Sequence, residues 1–313
     1  MSQILAVFGA TGQQGSSIVN HVLQFTSLSS KFTIRAITRD PKKFPQLAQK
    51  VEVVQADFAD NASLNAALHG VHTVFAMTTP SFGPNALDDE FGIAKAIADA
   101  AVAQGVKYII FSTLPSITEM TNGKCTSITP FDAKAKAETY IRGLPIKSAY
   151  VALGSFMENF ASQMPFLGPR KDGDGTYVLA RHVSANTKWP LLDAVGETGK
   201  FVGAILERPD EFEGKVLCAA ERFYTLEEII AIMAKATGKD IVYKKVSREE
   251  FKEGLAMLPP PLVDIFVDGL EFQETDGYFG RDGEEKVRWA GEQVGGGLSG
   301  LEEYFLRNPL VLG

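Results

Sequence analysis

The chain has 313 residues, 45% hydrophobic and 22% charged, enough apolar material for one large domain or two unequal lobes sharing a cleft. Its formal net charge of −7 argues against nucleic acid or an anionic membrane as the main partner. Cys125 and Cys218 are too few for a disulfide framework and lack CxxC spacing, and His21, His69, His72 and His182 make no metal-binding pattern. A membrane span needs about 18 consecutive apolar residues, and no such run occurs. The first apolar run, Ile4 to Phe8, is short, has no basic n-region and enters a glycine turn, unlike a secretory signal. A cytoplasmic, reducing compartment is expected.

In chain order, Ile4–Phe8 reads as a strand buried on both faces. After the glycine turn, Ile18, Val19, Val22 and Leu23 recur at helical spacing. Phe32–Thr38 and Val51–Gln55 are the second and third strands. Asp60 or Asn61 can cap a short helix carrying Leu64 and Leu68, with Gly70 as its stop. Val74–Thr78 is the fourth strand. Asp88, Asp89 and Glu90 suit the positive end of a helix bearing Phe91, Ala94, Ile97 and Ala101. Tyr108–Phe111 is the fifth strand. A helix from about Phe131 to Arg142 leads to the sixth, Lys147–Leu153.

Strands in strict alternation with helices predict an α/β fold, a doubly wound parallel sheet of Rossmann type. Beyond Gly154 the pattern loosens. Tyr177–Leu179 resembles a hairpin strand, and Thr198–Leu206 with Lys215–Ala219 read as a further helix and strand returning to the sheet. Thr225 to Glu228 forms a capping box before the helix Ile229–Ala236, and Pro259-Pro260-Pro261 reads as a helix breaker beside apolar Leu262–Leu270. The division expected is a dinucleotide-binding domain over residues 1–153, rejoined by 196–220. Residues 154–195 and 221–313 would form a smaller α+β substrate or partner lobe.

Gly9-Ala10-Thr11-Gly12-Gln13-Gln14-Gly15 follows the first strand and opens a helix. One glycine permits the tight turn, the next lets backbone approach a pyrophosphate, and the last lets helix pack on strand. The phosphates would meet free N–H groups at the helix N-terminus. The second strand ends Ile37-Thr38-Arg39-Asp40, where an NAD-preferring site places an acid. Arg39 can clamp a 2′-phosphate and Lys43 can add charge, so NADP(H) is the expected cofactor. Asp40 could pair with Arg39 instead. Asp57-Phe58 suits an adenine-edge contact, with helix capping by Asp57 as the other reading.

Short-chain dehydrogenases use a Tyr-x-x-x-Lys pair for proton exchange and ribose binding. Pro130 stands four residues before Lys134, so the tyrosine is absent. Lys134 shares the apolar face of its helix with Phe131 and Ile141, while Lys136 points the opposite way. Ser112 ends the fifth strand, a position that carries little weight alone.

Taken together, Val7 to Gly15, Thr38-Arg39-Asp40, Ala56-Asp57-Phe58, Phe131-Asp132-Ala133-Lys134 with Glu138, and Gly154 to Phe160 resemble the NmrA-like branch of atypical short-chain dehydrogenases. That branch includes the HSCARG-type NADP redox sensors and, more distantly, the isoflavone and phenylcoumaran benzylic ether reductases. The resemblance implies that Thr11, Gln14 and Gly15 touch the phosphates, and Arg39 with Lys43 the 2′-phosphate. It implies that Thr78, Thr79 and Lys95 face the cofactor, that Lys134 lies near the nicotinamide ribose, and that Phe156, Glu158 and Asn159 wall the ring. Pro130 departs from relatives with a polar group there, which weakens a proton relay copied from them.

Two functions follow, in different classes. The favoured one is an NADPH-dependent reductase of a C=N or conjugated C=C bond in a bulky apolar molecule of secondary-metabolite type, with Lys134 catalytic. Its support includes the aromatic residues Phe156, Phe160, Phe166, Tyr177, Trp189, Phe266 and Phe272, which core packing explains equally well. The other is a non-catalytic NADP(H) redox sensor that regulates a partner protein. Monomer and homodimer both stay open.

Overall fold

A computed structural model describes residues 2–161 and 168–312; Phe166 lies outside them. The strands in chain order are β1 (Gln3–Phe8), β2 (Phe32–Thr38), β3 (Glu52–Gln55), β4 (Thr73–Ala76), β5 (Tyr108–Thr113) and β6 (Lys147–Leu153). There follow β7 (Ser155–Phe156), β8 (Arg170–Lys171), β9 (Tyr177–Arg181), β10 (Lys188–Leu192), β11 (Val216–Ala219), β12 (Arg222–Thr225) and β13 (Ile241–Lys245). Seven of them form one sheet in the order β11-β6-β5-β4-β1-β2-β3, every neighbouring pair parallel.

Alternation along β1 shows why the sheet is doubly wound. Leu5 and Val7 face a core shared with helices Gln13–Gln24 and Ala194–Glu207. Ala6 and Phe8 face the opposite core, built with Asn61–Leu68, Ala86–Ala103 and Thr129–Arg142. A strand covered on both sides must be apolar throughout, which is how the sequence reads. Helices Gln13–Gln24 and Ala194–Glu207 approach closely because glycines line the seam. A Cβ at Gly203 would stand 2.5 Å from Nε2 of His21, and one at Gly199 would stand 2.5 Å from the Ser17 carbonyl oxygen.

The smaller lobe holds two three-stranded sheets, β12-β10-β7 and β13-β9-β8. Its core includes Leu179, Leu191, Ile229, Met233, Val267 and Tyr304. Two local readings change and one holds. β9 runs on to Arg181 and pairs parallel with β13 and antiparallel with β8. The three prolines do not end a helix. They open Pro260–Thr275, where the missing N–H of proline is an orphan anyway. Thr225 and Glu228 make their reciprocal cap, and a second capping box, Ser247 with Glu250, starts Arg248–Glu253.

Candidate active site

In the sheet order the chain reverses direction between β1 and β4, and a cleft opens beyond the carboxyl ends of the strands at that point. Of the glycine turn, Gln14 lines this cleft. Gly9 has φ +66, a left-handed conformation that side chains rarely adopt, and the Gly12 N–H donates to its carbonyl at 2.9 Å. Gly15 lies against this turn so closely that a Cβ would meet the Gly9 carbonyl oxygen at 2.2 Å. Gly12 differs. Its backbone is extended, and its nearest neighbour to an added Cβ would be that same oxygen at 3.4 Å, so the protein itself leaves room for a side chain. The space beside Gly12 is therefore left open for a group that lies against the turn. Helix Gln13–Gln24 starts at Gly12 with no side-chain cap, so its first-turn N–H groups face that same space. The buried Oε1 of Gln14 has no hydrogen-bond partner among the described residues. This cradle fits a dinucleotide pyrophosphate.

At the end of β2, Arg39 is exposed. Asp40 does not take it as a partner. Asp40 accepts from the Lys42 N–H at 3.2 Å and lies 3.7 Å from Nζ of Lys43. Arg39 directly follows β2, the strand end at which Rossmann-type sites hold the ribose 2′ substituent. Asp57 is used by the backbone: Oδ1 accepts from the Ala59 N–H at 3.0 Å. The neighbouring Asp60 caps Asn61–Leu68. Phe58 packs on Phe8, with ring centroids 5.9 Å apart.

Lys134 comes from the middle of helix Thr129–Arg142 and is 6% exposed, with its ammonium at the cleft. Its Nζ donates to Oε1 of Glu90, and Thr78 Oγ1 donates to the same oxygen at 2.6 Å. Glu90 and Thr78 are also buried. The sequence reading places Glu90 with Asp88 and Asp89 at the helix terminus. Only those two lie in the first turn of Ala86–Ala103. Glu90 turns inward, and an isolated ammonium inside the protein explains why: it needs a paired anion. Lys136 faces the other way, onto Asp88 and the ring of Phe91.

Lys134 shares the cleft with Thr78, Thr79, Ser112, Phe156 and Asn159. Pro130 also lines it, inside the first turn of its helix. A tyrosine that sequence reasoning missed does reach the cleft. It is Tyr278, whose hydroxyl donates to the Leu153 carbonyl at 3.1 Å and whose phenol is pushed up by burial, so its proton is held.

Thr11, Arg39, Lys43, Asp57 and Phe58 are outside the cleft lining, as are Lys95 and Glu158, whose side chains have other partners. Lys95 pairs with Asp99 and sits over the Tyr140 ring at 4.9 Å, outside the cleft lining. Five helical positions from Glu90, it is rotated about 140° around the axis. Glu158 accepts from the N–H groups of Ala194 (3.2 Å) and Val195 (2.7 Å), at the start of Ala194–Glu207. Burial raises its pKa, and those two N–H groups oppose the rise.

The cleft has a volume of about 440 Å³. Its other walls are mostly apolar and come largely from the smaller lobe, including Phe160, Leu191, Phe266 and Leu270. Among the described residues no group of acidic, histidine or cysteine side chains could hold a metal ion, and no helix is long and apolar enough to cross a membrane.

The model of the NmrA-like family matches residues 1–305. This chain belongs to the NmrA-like family. It is 30% identical over 268 residues to the NmrA-like family domain-containing oxidoreductase FrzB of Cladobotryum sp., covering 79% of this chain and 77% of that one. Among solved structures, NmrA, a negative transcriptional regulator in complex with NADP, is 20% identical with a TM-score of 0.77. The match covers 99% of this chain and 95% of NmrA. The Citrobacter sp. triphenylmethane reductase complexed with NADP(H) is 22% identical, also with a TM-score of 0.77. That match covers 97% and 99% of the two chains. These likenesses extend the NmrA-like fold over both the sheet and the smaller lobe.

Proposed function

We propose that this NmrA-like protein is an NADPH-dependent reductase of a C=N or conjugated C=C bond in a bulky, mostly apolar small molecule. The observation that carries the reading is Lys134: a buried ammonium, fixed by Glu90, at the wall of an apolar cavity of about 440 Å³ beside the glycine turn. The names of the relatives point the same way, since they include a triphenylmethane reductase and a quinone oxidoreductase from Escherichia coli.

When bound, the reduced nicotinamide supplies the hydride. The chain supplies the rest. Backbone N–H groups of Gln13, Gln14 and Gly15 with Thr11 hold the pyrophosphate, and Gly12 lets it come close. Arg39, aided by Lys43, takes the 2′-phosphate. Thr79, Phe156 and Asn159 wall the ring. An acceptor that gains hydride at carbon also needs a proton at its nitrogen or conjugated oxygen. Nζ of Lys134 carries protons at the cleft, while Glu90 and Thr78 fix its position. The same ammonium can hold a ribose hydroxyl.

The redox-sensor reading requires no room for a substrate beside Lys134, and the cavity there favours the reductase. The cofactor assignment is tested by calorimetric titration of NADP and NAD into wild type and Arg39→Ala. Loss of one bidentate contact to phosphate should weaken NADP by about tenfold or more and leave NAD almost unchanged. Equal affinities in the wild type would overturn it.

A further inference from the structure

Helix Pro260–Thr275 lines the cleft along one stripe of its surface. Ile265 and Phe266 line the cavity, and Leu270 and Gln273 line it about one turn further on. Gly269 lies in the middle of this stripe and lines the cavity as well, yet it has no side chain to place there. The backbone does not call for glycine at this point. Gly269 stands inside a continuous helix and is not among the glycines with positive φ. Outside its own helix backbone, and among the described residues, a Cβ built on it would come no closer than 3.9 Å to another atom, Cδ1 of Ile128. That is an ordinary contact, unlike the approaches at Gly15, Gly199 and Gly203. Ile128 lines the same cleft and shares an apolar cluster with Phe272, Phe131 and Ile265. A side chain at 269 would therefore meet the cavity wall first. Glycine in a helix interior is less stable than alanine, because its backbone loses more freedom on folding. Here that loss goes with extra width in the cavity.

We propose that Gly269 is the specificity-determining position of the cleft, and that the space beside it takes the outer ring of a fused-ring aromatic substrate. This rests on the reductase reading above and sharpens its substrate class. The rings of Phe131, Phe266 and Phe272 line the same cavity and suit stacked or edge-on contact with a flat apolar body. Lys134 lines it from the helix that packs on the sheet. A substrate whose reducible bond faces Lys134 extends towards helix Pro260–Thr275, and a single-ring molecule leaves the space beside Gly269 unfilled. A side chain at 269 narrows the cavity there and limits the largest acceptor that fits.

Two neutral acceptors test this in the full chain, single-ring benzoquinone and three-ring phenanthrenequinone, each followed by nicotinamide absorbance. Gly269→Leu should lower kcat/KM for phenanthrenequinone by about 30-fold or more and leave benzoquinone within about threefold. Its NADPH affinity, measured by calorimetry, should stay within about twofold of wild type. Because leucine can also strain the helix contact with Ile128, Gly269→Ala provides a milder variant. It should raise the melting temperature by about 2–4 °C, as expected for glycine to alanine in a helix, and lower the ratio of phenanthrenequinone to benzoquinone turnover by about threefold. Fluorescence titration of the neutral fused-ring probe N-phenylnaphthylamine reads the same space without turnover. The wild type should bind it, and Gly269→Leu should weaken it by about tenfold or more. No binding of the probe to wild type, or an affinity unchanged in Gly269→Leu, would overturn the proposal. Probe binding that is lost in Gly269→Leu, with no NADPH consumed by wild type, removes the reductase and upholds the space beside Gly269. Turnover of both quinones at a ratio unchanged in both variants does the reverse.

Discussion

Replacing Glu90 by glutamine keeps the shape of the side chain and removes the charge that faces Lys134. The two side chains are 1% and 7% exposed, so water cannot take over the lost interaction without opening the cleft wall. Removing one partner of a buried ion pair costs about 3–5 kcal/mol. The lower end applies here, because the new amide oxygen can still accept from Lys134 and Thr78. One unpartnered oxygen, Glu90 Oε2, is already present in the native pair and offsets part of the loss. At about 3 kcal/mol, and about 2–4 °C per kcal/mol for a large domain, Glu90→Gln should lower the melting temperature by about 6–12 °C. Lys134→Met should be destabilising as well, since it strands the carboxylate. The double variant has neither charge, so it should lose much less than the two single losses added together, with a coupling of at least about 2 kcal/mol. Thermal denaturation followed by circular dichroism of the four proteins completes the cycle. Strict additivity, or a Glu90→Gln protein as stable as wild type, would refute the picture of a buried, mutually compensating pair.

The glycine turn separates a folding requirement from a binding one. Gly15→Ala drives a Cβ to 2.2 Å from the Gly9 carbonyl oxygen, so the helix must shift, and the melting temperature should fall by several degrees. Gly12→Ala meets nothing closer than 3.4 Å, so it should leave the melting temperature nearly unchanged yet weaken NADPH by about tenfold or more in a calorimetric titration. A half-buried and a buried histidine set an acid limit. The pKa values of His21 and His182 both lie below the ordinary 6.5, with burial as the leading cause. For His21, Lys200 adds to the lowering while Glu207 and Glu197 oppose it. Between their depressed values and 6.5 the unfolded chain binds more protons, so their stabilising effect is full above 6.5 and is lost as pH falls through that value. Urea midpoints should therefore drop between about pH 7.5 and about pH 5.5, and His182→Gln should make that drop shallower. An unchanged slope in the variant would contradict this.

Strand and helix periodicity made most of the sheet readable. β6 runs from Lys147 to Leu153, the bounds that its apolar run predicts, because a strand buried on both faces carries an unbroken signal. The edge strand β13 gives no such signal. Only Ile241 is buried, and Lys244 and Lys245 face solvent. At the site, the turn, Arg39 and Lys134 are visible because each sits in a short local pattern. Glu90 is not, since its partner lies 44 residues away and no local rule connects them. A faint clue exists: a helix dipole is satisfied by Asp88 and Asp89 alone, which leaves the third acid unexplained. Arg181, Trp189 and Gln273 line the cleft from three separate elements of the smaller lobe, so neither spacing nor composition brings them together. Lys95 and Glu158 show the opposite limit. Their positions match a family pattern, while their side chains are committed to Asp99 and to a helix N-terminus.

The central claim is that NADPH held by the glycine turn reacts in the cleft with Lys134 as the group that carries the proton. Stopped-flow mixing of the NADPH-loaded protein with a neutral naphthoquinone, read by nicotinamide absorbance, tests it most directly in wild type and Lys134→Met. The wild type should consume its bound NADPH. The variant should bind NADPH within a few-fold of wild type but react about 100-fold or more slowly, the size of effect expected for a general acid. NADPH that binds and is not consumed, or equal rates in the two proteins, would contradict the account.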